Sequence, residues 1–321
     1  MAYSRYYRQA LTPEERLVYD ALAEGLARMD AQIPLPAVKR TNPTRYTQAV
    51  QLDYPELFFV DFAHIQFLFA PQNSRAIPAY RLSADQAQRQ AEDIRCVADK
   101  IVRRCAGRTL PEAERILHDA LIELGVYGKV AGREHDAHSI YGAFVDRRCV
   151  CEGYAKAFKY LCDRARLQCL VVGGRASPPG REPGAHAWNM VNLDGRIYHV
   201  AVTFDRMIEG QHHSLAYYNL SDAEIRLDHA PSESMFRLPP SPESGAVLPL
   251  IGGTLPLIDF LRGEYARHSR YSEVRLTRGF APDELLSMIL KRLQPGDYGW
   301  YNAIKSCYYG TGARSFFIVW K

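Results

Sequence analysis

Apolar side chains recur every three or four residues in several stretches of the chain, and most of these stretches follow a helix-start signal. Thr12-Pro13-Glu14-Glu15 reads as a capping box with proline at the first helical position, ahead of Leu17, Leu22, Leu26 and Met29. Ser83–Gln86 and Thr109–Glu112 are two more boxes, opening helices near 84–105 and 110–125. From Cys151 the apolar positions are Tyr154, Ala155, Phe158, Leu161, Cys162 and Ala165, the spacing of a further helix. The period then drops to two. Cys169–Gly173 predicts a strand, 175–184 is a Gly/Pro loop, and 186–193 alternates into a second strand. Asp194–Gly195 makes a tight hairpin turn into a third strand over 196–204.

The flanks follow the same logic. Residues 33–50 read as a Pro/Thr-rich connector. Pro55–Ala70 reads as a short helix or turn followed by a strand, with which 77–82 could pair. The stretch 231–245 has the Pro/Ser content of a linker. Beyond it 255–268 predicts a helix, 271–277 a strand, 281–293 a helix and 315–321 a closing strand. The expected division is an N-terminal extension over 1–82, a core over 83–235 and a small α+β element over 246–321.

Two positions carry candidate chemistry. Cys151 falls in the first turn of its predicted helix, where unpaired backbone N–H groups and the positive end of the dipole favour a thiolate. Gly153 would leave room for a substrate to approach, and the Cys151 amide could help hold an oxyanion. The plainer alternative is a buried structural cysteine, the role expected for Cys162 and Cys169. His186 opens the second strand. Alone it would read as a solvated residue, but it follows a helix-start cysteine and precedes Trp188, a nucleophile–base order suited to acyl transfer. Tyr154 and Trp188 are candidate walls of a substrate groove, with core packing as their alternative.

The runs CVCEGYA at 149–155, HAWN at 186–189 and YHVAVTFD at 198–205 together resemble the transglutaminase-like superfamily, as in bacterial transglutaminase-like domain proteins. The resemblance extends through ILHDALIELGVYGK at 116–129 and AYYNLSDAEIRLDH at 216–229. DYPELFFVD at 53–61 is similar to a segment found ahead of such cores. It implies an α+β, papain-like core in which a helix bearing the cysteine packs on an antiparallel sheet. Cys151 would be the nucleophile and His186 the general base. The family's third residue, an aspartate that orients the imidazole, falls on Ala201. Removing the equivalent acid from serine enzymes costs about 10⁴ in rate, so impaired or abolished activity is expected. A natural loss, an engineered inactivation or a replacement acceptor would each account for Ala201. His199 is a candidate stand-in on the same strand face, whereas Asp205, four residues further on, would be about 13 Å away.

Hydrolysis of a peptide or amide is therefore the expected activity, ahead of glutamine–lysine cross-linking. An inactive peptide-binding module on the same scaffold is the alternative. Composition narrows the partners. The 321 residues, 47% hydrophobic, can bury a large core, and 40 basic against 36 acidic residues give only +4. That balance argues against nucleic acid or an anionic membrane as an obligatory partner, leaving a peptide or protein substrate. No apolar run reaches the roughly 18 residues of a spanning helix, and the N-terminus lacks a signal-peptide core. Seven cysteines without disulfide spacing fit a reducing cytoplasm. Cys149 and Cys151 form only a C-x-C pair. His212, His213 and His229 read as surface residues, so no metal or cofactor is expected.

Overall fold

The structure is a computed structural model that describes residues 5–38, 42–70, 72–177, 182–205, 207–208, 212–311 and 314–321. The chain forms two compact units. One comprises residues up to 173 with 186–197 and 231–240; the other comprises 174–185, 198–230 and 241–321.

In the first unit all three expected capping boxes are made. Thr12, Ser83 and Thr109 accept from the backbone of Glu15, Gln86 and Glu112, whose side chains reach back to the caps. They open the helices Pro13–Ala27, Ala84–Val102 and Leu110–Leu124. The helix expected from Cys151 is Cys151–Arg164, and Ala84–Val102, Leu110–Leu124 and the short helix Ile140–Phe144 pack on it. Its buried stripe includes Tyr154, Ala155, Phe158, Leu161 and Cys162, the positions expected from the spacing. The strands Gln168–Ala176, Gly184–Leu193 and Arg196–Val200 follow in that sheet order. Asp194 (φ 55°) and Gly195 (φ 91°) form the tight turn. The strand Gln66–Leu68 pairs with Arg75–Ile77, so of the expected partner 77–82 only Ile77 is in this ladder. Residues 178–181 of the predicted Gly/Pro loop lie outside the described residues.

The expected connector contains a helix. Asn42 caps Pro43–Asp53 by accepting from the Arg45 amide, and Pro43 sits at the first position. Its buried face is Tyr46, Ala49, Val50 and Asp53, too short and mixed a stripe to stand out beside the prolines and threonines. The third predicted strand also ends early, at Val200. The amides of Phe204 and Asp205 turn back onto the Ala201 carbonyl instead.

Asp53 anchors a buried polar network. Its carboxylate accepts from the amides of Tyr7 (3.3 Å) and Arg8 (2.9 Å) and from the Tyr19 hydroxyl (2.8 Å). Lys159, on the Cys151 helix and only 1% exposed, donates to Asp163 at 2.9 Å and to the Cys169 carbonyl at 3.1 Å. Burial pushes both carboxyls up, and the Lys159 charge is the main force pulling each back. Tyr7 adds a hydrogen bond to the Val171 carbonyl.

The second unit has its own core. Leu250–Ile251, Tyr271–Leu276, Ser315–Val319 and Tyr308–Thr311 lie side by side in that order, the first pair parallel and the others antiparallel. The helices Thr254–Ala266, Pro282–Leu290 and Tyr298–Ser306 accompany this sheet, with Leu261, Val274, Ile289, Trp300 and Phe316 in one apolar cluster. Arg275 pairs with Glu224 (2.7 Å) and Arg314 with Asp228 (2.6 Å), fastening the C-terminal element to 224–228. Among the described residues no helix is long and apolar enough to cross a membrane.

Lys159→Met removes the buried cation that most strongly offsets Asp53 and Asp163, leaving Arg5, 3.7 Å from Asp163 and partly exposed, beside the second carboxyl. We expect a loss of about 3 kcal/mol or more in urea denaturation. A loss below about 1 kcal/mol would mean that the network carries little of the stability.

Candidate functional site

Cys151 is the first residue of its helix, after Val150 in extended conformation (φ −99°, ψ −179°). The Val150 amide donates to the Ala137 carbonyl at 3.0 Å, which fixes where the helix begins. Gly153 serves this packing rather than substrate access. A Cβ there would fall 2.4 Å from the Ala137 oxygen and 2.7 Å from the Cys149 Cβ. The two cysteines of the C-x-C pair consequently differ. Cys149 is buried, and burial together with the neighbouring Cys151 pushes its thiol up to about 12. Cys151 is half-buried and free. Of this pair, Cys151 is the one open to solvent.

Tyr127 joins the site, a residue the sequence pattern did not single out. The two-residue strand Val126–Tyr127 runs parallel to Arg148–Cys149, with Tyr127 opposite Cys149. The Tyr127 hydroxyl thereby comes within electrostatic reach of Cys151, on a residue that is 60% exposed. Desolvation, and next the Cys151 charge, raise its pKa, so it stays a neutral donor. No local signal marks it, because the pairing joins segments about twenty residues apart.

His186 lies on the strand Gly184–Leu193, is 9% exposed, and stacks on Trp188 (6.1 Å between centroids, 18° between planes). The helix and this strand meet in a small apolar cluster of Ala155, Val171 and Ala187. Asn189 reinforces it by donating to the carbonyls of Ala155 (2.9 Å) and Leu170 (3.3 Å). One helical turn from Cys151 is thus packed beside the neighbour of His186. The expected groove walls have core positions. Trp188 is 1% exposed, and Tyr154 is buried with its hydroxyl donating to the Gly125 carbonyl at 3.2 Å.

Ala201 belongs to the second unit. It is buried, and its amide donates to the Tyr217 carbonyl at 3.0 Å. The two candidate replacements have other partners. His199 Nε2 is 2.9 Å from Asp222 Oδ1, and burial lowers its pKa despite that carboxylate. Asp205 accepts from the Tyr217 amide at 2.9 Å and from the Ser214 hydroxyl. His229, expected at the surface, is buried instead. Its Nδ1 lies 2.6 Å from Asp228 and its ring packs on Phe204 and Tyr217, so a carboxylate and two aromatics make the interior favourable. His212, half-buried, stacks on Tyr271. Among the described residues no group of three or more His, Cys, Asp or Glu could hold a metal ion.

Residues 95–201 match the transglutaminase-like superfamily, a segment that holds Cys151 and His186 and ends on Ala201. The chain therefore carries a transglutaminase-like core, of mixed α+β architecture with antiparallel sheets. No curated protein matches it. Among solved structures it is similar to a candidate cysteine protease from Cytophaga hutchinsonii, at 13% identity over 44% of this chain and 61% of that one (TM-score 0.28). It is also similar to a TGase at 10% identity, 69% and 58% coverage and TM-score 0.33. The periplasmic domain of TgpA from Pseudomonas aeruginosa matches at 18% identity, 41% and 55% coverage and TM-score 0.29. The chain spans less than two thirds of each of these proteins.

Tyr127→Phe deletes the hydroxyl that faces the Cys151 thiol. Alkylation of Cys151 at pH 7 should slow roughly tenfold, the value of one hydrogen bond to a charged group. An unchanged rate would show that the hydroxyl does not support the thiolate.

Proposed function

We propose that the chain is a cysteine-dependent acyl-transfer enzyme acting on peptide or amide bonds, as a hydrolase in preference to a glutamine–lysine cross-linker. The observation that carries this reading is the half-buried Cys151 at the head of a 14-residue helix, inside the segment matched to the family and beside the Tyr127 hydroxyl. The family match supports cysteine-based catalysis in general. Cys151 would attack the carbonyl, and His186 would protonate the leaving amine, giving a thioester. His186 would then take a proton from water, which releases the acid and regenerates the thiol. The Cys151 amide and the Tyr127 hydroxyl are the donors for the oxyanion. This chemistry requires no metal or cofactor. The partner is a peptide or protein segment, with neither nucleic acid nor membrane involved. An odd number of cysteines supports a reducing cytoplasm as the compartment.

Ala201 favours a second reading, a binding module on the same scaffold, because an alanine cannot accept the second imidazole N–H. The two readings separate on one substitution. For the enzyme, Ala201→Asp should raise amide or ester hydrolysis by roughly 10²–10⁴-fold, and His186→Ala on that background should remove the gain. An electrophilic peptide probe followed by mass spectrometry should mark Cys151 ahead of the other six cysteines. A folded Ala201→Asp protein that is no faster than its parent and unlabelled at Cys151 would leave only the binding module.

A further inference from the structure

A cavity of about 680 Å³ opens on the face of the Cys151 helix that presents Glu152 and Lys156. Its size is within the roughly 300–1,000 Å³ of small-molecule sites. One wall is the polar face of the helix Pro43–Asp53, with Thr47, Gln48 and Gln51. The other is apolar, with Leu57, Phe58 and Phe62.

The charged groups are not balanced in hydrogen-bonding capacity. Glu152 Oε1 accepts from Lys156 at 2.6 Å and Oε2 pairs with His138 Nδ1 at 3.0 Å, so both oxygens are engaged. Lys156 also donates to the His138 carbonyl at 3.2 Å. Among the described residues its third N–H and His138 Nε2 have no partner, nor have the side chains of Thr47, Gln48 and Gln51. Arg81 and His135 also line the cavity but are paired with Asp61 and Asp136. Burial works against the Glu152 charge, yet Lys156 and His138 outweigh it and hold the carboxyl down.

We propose that this cavity binds a small monocarboxylate with an apolar or aromatic body, the chemistry of a peptide's C-terminal residue. Lys156 and Glu152 cancel in charge, yet Lys156 keeps one N–H to donate. A monoanion that accepts from this N–H brings one negative charge beside Glu152, whereas a dianion such as phosphate brings two. The carboxylate takes the vacant Lys156 N–H, the body lies against Phe58 and Phe62, and the threonine and glutamine side chains meet an amide.

Calorimetric titration of the intact chain with N-acetylphenylalanine, N-acetylphenylalaninamide and phenethylamine tests this. The acid should bind saturably, the amide at least roughly tenfold more weakly, and the amine not measurably. Thr47→Trp, which fills the cavity without touching the charged triad, should abolish binding, and Lys156→Met should weaken it roughly tenfold, melting curves certifying the fold of both. Equal affinity for acid and amide, no saturable binding of the acid up to about 10 mM, or binding that survives both substitutions would overturn the proposal. The readout is binding rather than turnover, so the result is independent of the role assigned to Cys151.

Discussion

The close approach of the Cys151 helix to the Ala137 carbonyl governs the rest of the candidate site. It is possible only because residue 153 has no side chain; a single β-carbon would lie 2.4 Å from that oxygen. The Val150 amide seals the approach from the other side. With the helix start fixed, Cys149 is held in a two-residue strand facing the interior while Cys151 is left half-open. The same strand pairing brings Tyr127 to the thiol. Loss of this contact would shift the cysteine, the amide and the tyrosine together, because all three are placed by one junction of backbone segments.

Charge is distributed on the helix by a similar economy of position. Lys156 and Lys159 lie three residues apart, yet they meet different carboxylates. Lys159 is enclosed with Asp163, while Lys156 faces a cavity with Glu152. The former, itself 1% exposed, offsets a fully buried Asp53 and a mostly buried Asp163, the condition under which an ion pair is costly to break. The latter keeps a donor in reserve. The position of each acid separates them: Glu152 lies four residues before Lys156 and Asp163 four residues after Lys159, so the two pairs run in opposite directions along the helix.

Much of this was legible in the residues. The capping boxes at Thr12, Ser83 and Thr109 act through contacts three residues apart, so they are written locally and appear where expected. The helix beginning at Cys151 and the turn at Asp194–Gly195 are equally local. What escaped depends on partners distant in the chain. Tyr127 matters because its strand pairs with 148–149. His229 is interior because Asp228 and two rings meet it there. Pro43–Asp53 was hidden by prolines and threonines that suit a helix start as well as a connector. Gly153 was read as space for a substrate when the space is filled by backbone.

The buried Asp53 has a consequence for how this chain can be divided. Its carboxylate binds the amides of Tyr7 and Arg8, while Lys159 of the Cys151 helix supplies its main electrostatic counterweight. Residues near the N-terminus and the middle of the chain thus share one electrostatic interior. A shortened version beginning near residue 83 would keep every residue of the thiol junction and the whole family-matched segment. It would nonetheless strip the roof from Lys159 and Val171, wetting the inner face of the helix on which the nucleophile stands.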